Sequence, residues 1–175
     1  MKYIAALFMT AYLSLSVAFG QDKSMSSGEV IFHAIEKRDF SARSTLIESN
    51  LNFTTNSISI VVPIKSFKFK NAETQKEFTQ KENLNADTYP DLLINGEISS
   101  SSDVSEDGRH IVTLSGELTI KGVTHKLKTK GLLVNKSGET TLRISFLTNG
   151  EDYELDSGAY KDFINQLEFS IELIY

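Results

Sequence analysis

Three histidines, many serines and a few acidic clusters are the residue types here that metal binding or covalent catalysis would use. A zinc site needs three or four converging ligands, typically with one short-spaced pair. His33, His110 and His125 are far apart in sequence, and the chain has no Cys. No Gly-x-Ser-x-Gly elbow occurs, and Ser115-Gly116 falls inside a strand pattern, the wrong setting for an exposed nucleophile. Asp103, Glu106 and Asp107 crowd a polar turn, where nothing buries them enough to tune them for acid–base work. Gly108, Gly116 and Gly122 lack the spacing of a phosphate loop. Glu151, Asp152 and Asp156 do not follow the EF-hand pattern. The expectation is a protein that is not an enzyme and needs no metal and no cofactor.

The elements that position these residues are most legible in residues 109–134. Val112, Leu114, Gly116, Leu118 and Ile120 share one parity before Lys121-Gly122. After it, Lys126, Lys128 and Lys130 alternate with Leu127, Thr129 and Gly131. Strict period-2 alternation predicts an antiparallel hairpin with one wet face and one buried face. The lysine stripe could meet phosphate head-groups; the reading favoured here is a solvated outer face that discourages edge pairing. The inner face is thin at Gly116, Thr129 and Gly131, where a solid core would place bulk. Glycine weakens a strand unless close approach or room is needed, so the expectation is a sheet that leaves space inside.

Residues 1–20 read as a signal peptide: Lys2, an apolar run from Tyr3 to Val17, then Ala18-Phe19-Gly20 before Gln21. The run is short for a membrane anchor, so no stable membrane insertion is expected after cleavage. A Gln at position 21 does not fit a lipoprotein. The expected location is periplasmic or secreted, with residues 21–175 as a single domain. The net charge is −5, which argues against nucleic acid as a partner. With no Cys, that domain must hold itself together by packing alone. Whether it acts alone or as a homodimer is left open by the sequence.

Further alternating segments run through the rest of the chain: Glu29 to Ile35, Phe40 to Glu48, Ile58 to Ile64, Leu92 to Ile98, Leu142 to Phe146 and Leu167 to Tyr175. Asn50 to Asn56 reads as a turn. Pro63 cannot donate to a ladder, and the parity change to Phe67 and Phe69 predicts a bulge there. Asn71 to Leu84 lacks alternation and is rich in Glu, Gln and Lys, which predicts one surface helix. The fold class is therefore all-β, an antiparallel eight-stranded barrel with one short helical excursion; a β-sandwich is the alternative.

Three segments resemble the YceI-like family of exported bacterial proteins. Gly116-Glu117-Leu118-Thr119-Ile120-Lys121-Gly122-Val123-Thr124 is similar to the family's G-x-L-T-I-x-G-V-T hairpin. Ser66-Phe67, a polar helical stretch and Tyr89-Pro90 resemble its middle section, and Asp152-Tyr153 its end. Two places depart from the pattern. The Arg-Asp-x-His-Leu type sequence of many members is Glu73-Thr74-Gln75-Lys76-Glu77-Phe78 here, and Asp-Tyr-Gly-Ile is Asp152-Tyr153-Glu154-Leu155. The resemblance implies a lipocalin-like barrel that binds polyisoprenoids or other long apolar molecules.

The expected function is sequestering or carrying a lipophilic small molecule, isoprenoid-like or fatty, inside the barrel. Leu114, Gly116, Leu118, Leu127, Phe146, Phe169 and Ile171 would line the interior. Phe67, Phe69 and Phe78 would sit near the mouth, rimmed by the 71–84 helix. The alternative from another class is a solid-cored β-sandwich acting as an envelope interaction or structural module without a small ligand. A hydrolase or isomerase at the barrel mouth would need a buried His or carboxylate facing a cavity.

Overall fold

The computed structural model describes residues 22–80, 83–155 and 164–175. The expected signal peptide lies outside the described residues. The strands are β1 (Asp22–Ser24), β2 (Ser27–Ala34), β3 (Ser41–Ser44), β4 (Glu48–Asn52), β5 (Ser57–Pro63) and β6 (Lys68–Phe69). Helix α1 (Ala72–Thr79) follows, then β7 (Asp91–Ser100), β8 (Gly108–Ile120), β9 (Val123–Lys136), β10 (Glu139–Thr148) and β11 (Leu167–Ile174). All belong to one antiparallel sheet, ordered β1-β4-β5-β7-β8-β9-β10-β11-β2-β3-β6.

The sheet curls because its two ends are sewn together by the chain. β1 pairs with β4 at one end, while β2, two residues later, pairs with β11 and β3 at the other. β3 and β4 are likewise joined only by Thr45-Leu46-Ile47. A chain step that short cannot cross an open sheet of this width, so the ends must meet and the fold is barrel-like.

Among the described residues the ladder has eleven strands, not the expected eight, and bends account for the difference. Met25-Ser26, Thr45–Ile47 and the 3-10 turn Ile64–Ser66 each split one long strand into two ladder segments. The Asn50–Asn56 turn is corrected too: Asn50 to Asn52 belong to β4, and the turn begins after them. The alternation that marks a strand is lost there because one of its inward residues, Ser49, is polar.

The hairpin forms as the alternation requires. β8 and β9 run in register from Gly108↔Asn135 to Ile120↔Val123. Lys121 and Gly122 both take positive φ, 53° and 77°, the two-residue turn whose twist matches the flanking strands. Lys126, Lys128 and Lys130 are exposed, and Leu127 is buried opposite them. The parity change after Val62 comes from the 3-10 turn rather than a bulge. Pro63 ends β5 beyond the last β4–β5 pair, Glu48↔Val61, so β4 asks nothing of its missing N–H.

Helix α1 is shorter than the expected 71–84. Asn71 caps it, its side chain accepting from the Glu73 N–H at 2.8 Å. Gln80 is already extended, and Asn85 takes a φ of 49°. Asn and Asp compete locally for backbone hydrogen bonds, so Asn83-Leu84-Asn85 turns instead of continuing the helix.

At the sheet's far end, the buried Asn135 holds a loop with its amide. Its Nδ2 donates to the carbonyls of Val104 and Glu106, and the Thr140 hydroxyl donates to its Oδ1 at 2.6 Å. Nearby, the Tyr175 hydroxyl lies 2.7 Å from Ser49 Oγ, which donates to the Ser59 carbonyl. This ties the end of β11 to β4 and β5 by side chains.

Candidate functional site: an aromatic chamber under one helix

Inward-facing aromatics come together at one end of the curled sheet. Phe146↔Phe169, Phe169↔Phe32, Phe32↔Ala42 and Ala42↔Phe69 are successive cross-strand partners through β10, β11, β2, β3 and β6. They form one row across five strands. Phe146 stacks on Phe169 with centroids 5.3 Å apart, and Phe169 lies 5.5 Å from Phe32. Ala42 is the only small member of the row, and larger rings fill the room above it. Phe67, Phe69 and Phe78 surround Phe32 at 5.2, 5.7 and 5.3 Å. Phe40 joins at 5.4 Å from Phe69. Most of these pairs are tilted or edge-on, the arrangements that ring quadrupoles favour.

Between these rings and the opposite wall lies a void of about 10 Å³. It is lined by Phe32, Phe67, Phe78 and Phe169 together with Ile64, Leu84, Leu92, Ile120, Leu155 and Leu167. Among the described residues the lining contains no polar side chain. A void of that size holds about one water, which would find no hydrogen-bonding side chain there. Pockets for small organic ligands run to roughly 300–1,000 Å³, so the expected open interior is replaced by a packed one.

The expected wall residues separate into two groups. Phe67, Phe78 and Phe169 line the void, and Phe69 packs on its rings while staying partly exposed. Leu114, Leu118, Leu127, Phe146 and Ile171 are buried in the same core without reaching the void. Gly116 makes no room at all. A Cβ there would fall 2.6 Å from Gly96 Cα, and one on Gly96 would fall 2.7 Å from the Ser115 carbonyl. The glycines pair across β7 and β8 and let the backbones pinch where the sheet curls. At Gly131 the space is taken by Ile144 and Val112, and the Thr129 hydroxyl donates to the Ser145 carbonyl.

Sequence reasoning missed Ile64, Leu84, Leu92, Ile120, Leu155 and Leu167 as lining. Strand parity marked Ile64, Leu92, Ile120 and Leu167 as inward, but depth along the barrel axis is a tertiary property. Phe32 shares the parity of Val30 and Ala34, the signal that could have found it.

His110 and His125 make hydrogen bonds that hold loops, and His33 faces a carboxylate. His33 lies 3.1 Å from Glu168 on the outer face. Buried His110 donates from Nε2 to the Glu106 carbonyl, with Nδ1 at 2.9 Å from Ser102 Oγ. His125 donates to the Asp152 carbonyl and packs edge-on against Tyr153. Among the described residues no three His, Asp or Glu side chains converge on a point that could hold a metal ion. No helix there is long and apolar enough to cross a membrane.

A curled antiparallel sheet with an apolar, aromatic interior and one helix over its end is a lipocalin-like β architecture. The chain belongs to the YceI-like family, whose domain model matches residues 21–173. No curated protein matches the sequence. Among solved structures it is similar to a polyisoprenoid binding domain from Saccharophagus degradans implicated in plant cell wall breakdown. That match has 14% identity and a TM-score of 0.74, over 87% of this chain and 96% of that one. It is similar to BcnA of Burkholderia cenocepacia, with 12% identity and a TM-score of 0.72 over 85% and 96%. It is also similar to the Campylobacter jejuni YceI protein, with 12% identity and a TM-score of 0.59 over 100% and 90%. At these identities the likeness establishes the fold.

Proposed function

We propose that this chain is an exported, non-enzymatic protein that binds a lipophilic molecule, isoprenoid-like or fatty, in the aromatic chamber beneath α1. The observation that carries this reading is the chamber's lining, which among the described residues is apolar throughout and to which α1 contributes Phe78. Such a lining offers a hydrocarbon everything it needs and a reacting group nothing. The family membership and the likeness to a domain described as polyisoprenoid binding support the same ligand class.

Binding requires the chamber to open, since the void holds about one water. The element to move is α1, whose one buried side chain is Phe78. Withdrawing a buried Phe costs about 3–5 kcal/mol, judged from truncations. A chain burying about 400 Å² of apolar surface returns on the order of 10 kcal/mol. That leaves about 5–7 kcal/mol to set against an association cost of about 4–15 kcal/mol.

The closed interior also favours a second reading, a solid-cored envelope module without a small ligand. Native mass spectrometry after mild purification separates the two, together with titration by a fluorescent fatty-acid analogue. The first reading expects a co-purified lipid mass or saturable uptake near one probe per chain. A ligand-free protein that ignores the probe rejects it and leaves the solid core.

A further inference from the structure

The ladder of the curled sheet is interrupted between β3 and β4. β3 ends its pairing with β2 at Ser44↔Val30 and with β6 at Arg43↔Lys68. β4 begins its pairing with β5 at Glu48↔Val61 and with β1 at Asn50↔Ser24. Thr45-Leu46-Ile47 therefore carries no ladder pair on either side. Hydroxyls pin this seam instead. Ser44 Oγ accepts from the Leu46 N–H at 3.2 Å and lies 2.6 Å from Ser66 Oγ, which donates to the Pro63 carbonyl at 2.5 Å.

The seam has two unlike faces. Inside, Ile64 and Phe67 line the apolar void. Outside, an open groove is lined by Arg43, Leu46, Lys65, Ser66 and Lys68. Residues 64–68 contribute to both: Ile64 and Phe67 to the void, and Lys65, Ser66 and Lys68 to the groove. Three cations gather around this groove in a chain of net charge −5. Leu46, 64% exposed, stands among them as an apolar step. Arg43 pairs with Glu29, and Lys65 with Asp87 at 2.5 Å. Lys68 has no ion pair among the described residues. Exposed pairs of this kind are worth little and exchange readily for a better anion. A phosphate or carboxylate offers several charge-assisted hydrogen bonds at once.

The geometry points to a headgroup site: an anionic single-chain amphiphile seats its phosphate or carboxylate against Arg43, Lys65 and Lys68, and its chain passes the Thr45–Ile47 gap into the space freed when Phe78 withdraws. This rests on the binding function proposed above and adds the ligand's polarity and its route. A neutral lipid would use the chamber alone.

Calorimetric titration of the full chain with decyl phosphate, decanol and inorganic phosphate tests it. Decyl phosphate is expected to bind about tenfold tighter than decanol, a difference that charge-assisted bonds supply. Lys65→Glu with Lys68→Glu removes that preference and leaves decanol affinity unchanged; Lys68→Gln alone reduces it. Lys126→Glu, on the outer face of β9, keeps it. Circular dichroism checks that each variant folds. Equal affinity for the two amphiphiles, or a preference that survives the double substitution, overturns the headgroup site and leaves the lipophilic function standing. Binding of neither amphiphile overturns both. Inorganic phosphate binding as tightly as decyl phosphate overturns the route by making the groove a free-anion site. Adsorption to phosphatidylglycerol vesicles without a preference in solution overturns it in favour of a membrane-facing patch.

Discussion

The Phe78 ring stacks on the Phe32 ring with centroids 5.3 Å apart and planes 28° from parallel. This one contact joins helix α1 to the middle of the aromatic row on the sheet. It makes Phe78 both part of the core and the plug of the chamber.

Replacing Phe78 with Ala separates those roles. The lost ring leaves a cavity lined by Phe32, Phe40 and Phe69, all of which it touches. Stability falls by about 3–5 kcal/mol, as for other buried Phe truncations, read from urea unfolding. If the chamber binds lipid, uptake of a fluorescent fatty-acid analogue rises as stability falls. A loss of stability with no gain in uptake favours the solid-cored reading.

Gly116 behaves as a backbone contact rather than a pocket wall. A Cβ at this position meets the backbone of Asn95 and Gly96, which cannot rotate aside as a side chain could. Gly116→Ala is expected to cost about 3 kcal/mol in urea melts, the upper part of the overpacking range. Gly116→Leu is expected not to fold. At Gly138 a Cβ meets nothing within 4 Å, and the cost of Ala there comes from its positive φ, about 1 kcal/mol.

Tyr175 sets an alkaline limit. Burial pushes its hydroxyl up to about 12, opposed in part by the hydrogen bond with Ser49. The folded state thus holds the proton more tightly than the unfolded chain, where tyrosine titrates near 10. The resulting stability is fully present below about pH 10 and is lost as pH rises towards 12. Two units correspond to on the order of 3 kcal/mol. Urea midpoints of the wild type should fall across that window, and those of Tyr175→Phe should fall less.

Much of the fold is legible residue by residue. The parity of Val112, Leu114, Leu118 and Ile120 against Lys126, Lys128 and Lys130 sets the two faces of the hairpin, because successive side chains on a strand point oppositely. Lys121-Gly122 sets its register. The bends are less legible. Ser49 faces inward to meet Tyr175, 126 positions away, so β4 carries a polar residue where the alternation expects an apolar one. The small residues of the hairpin suggest room inside, but what they mark is close approach. Gly116 meets Gly96 backbone, and Gly131 meets Ile144.

By itself the sequence determined which side chains face inward, that the interior is apolar, and the family, since these depend on local period and on short motifs. Only the tertiary structure decided that the interior is filled. That outcome depends on where five strands and α1 place the Phe146–Phe169–Phe32 row against Phe67 and Phe78, contacts between residues up to 137 positions apart. The tertiary structure alone also set Arg43 beside Lys65 and Lys68 at the unpaired seam, because that seam exists only where the two ends of the curled sheet meet.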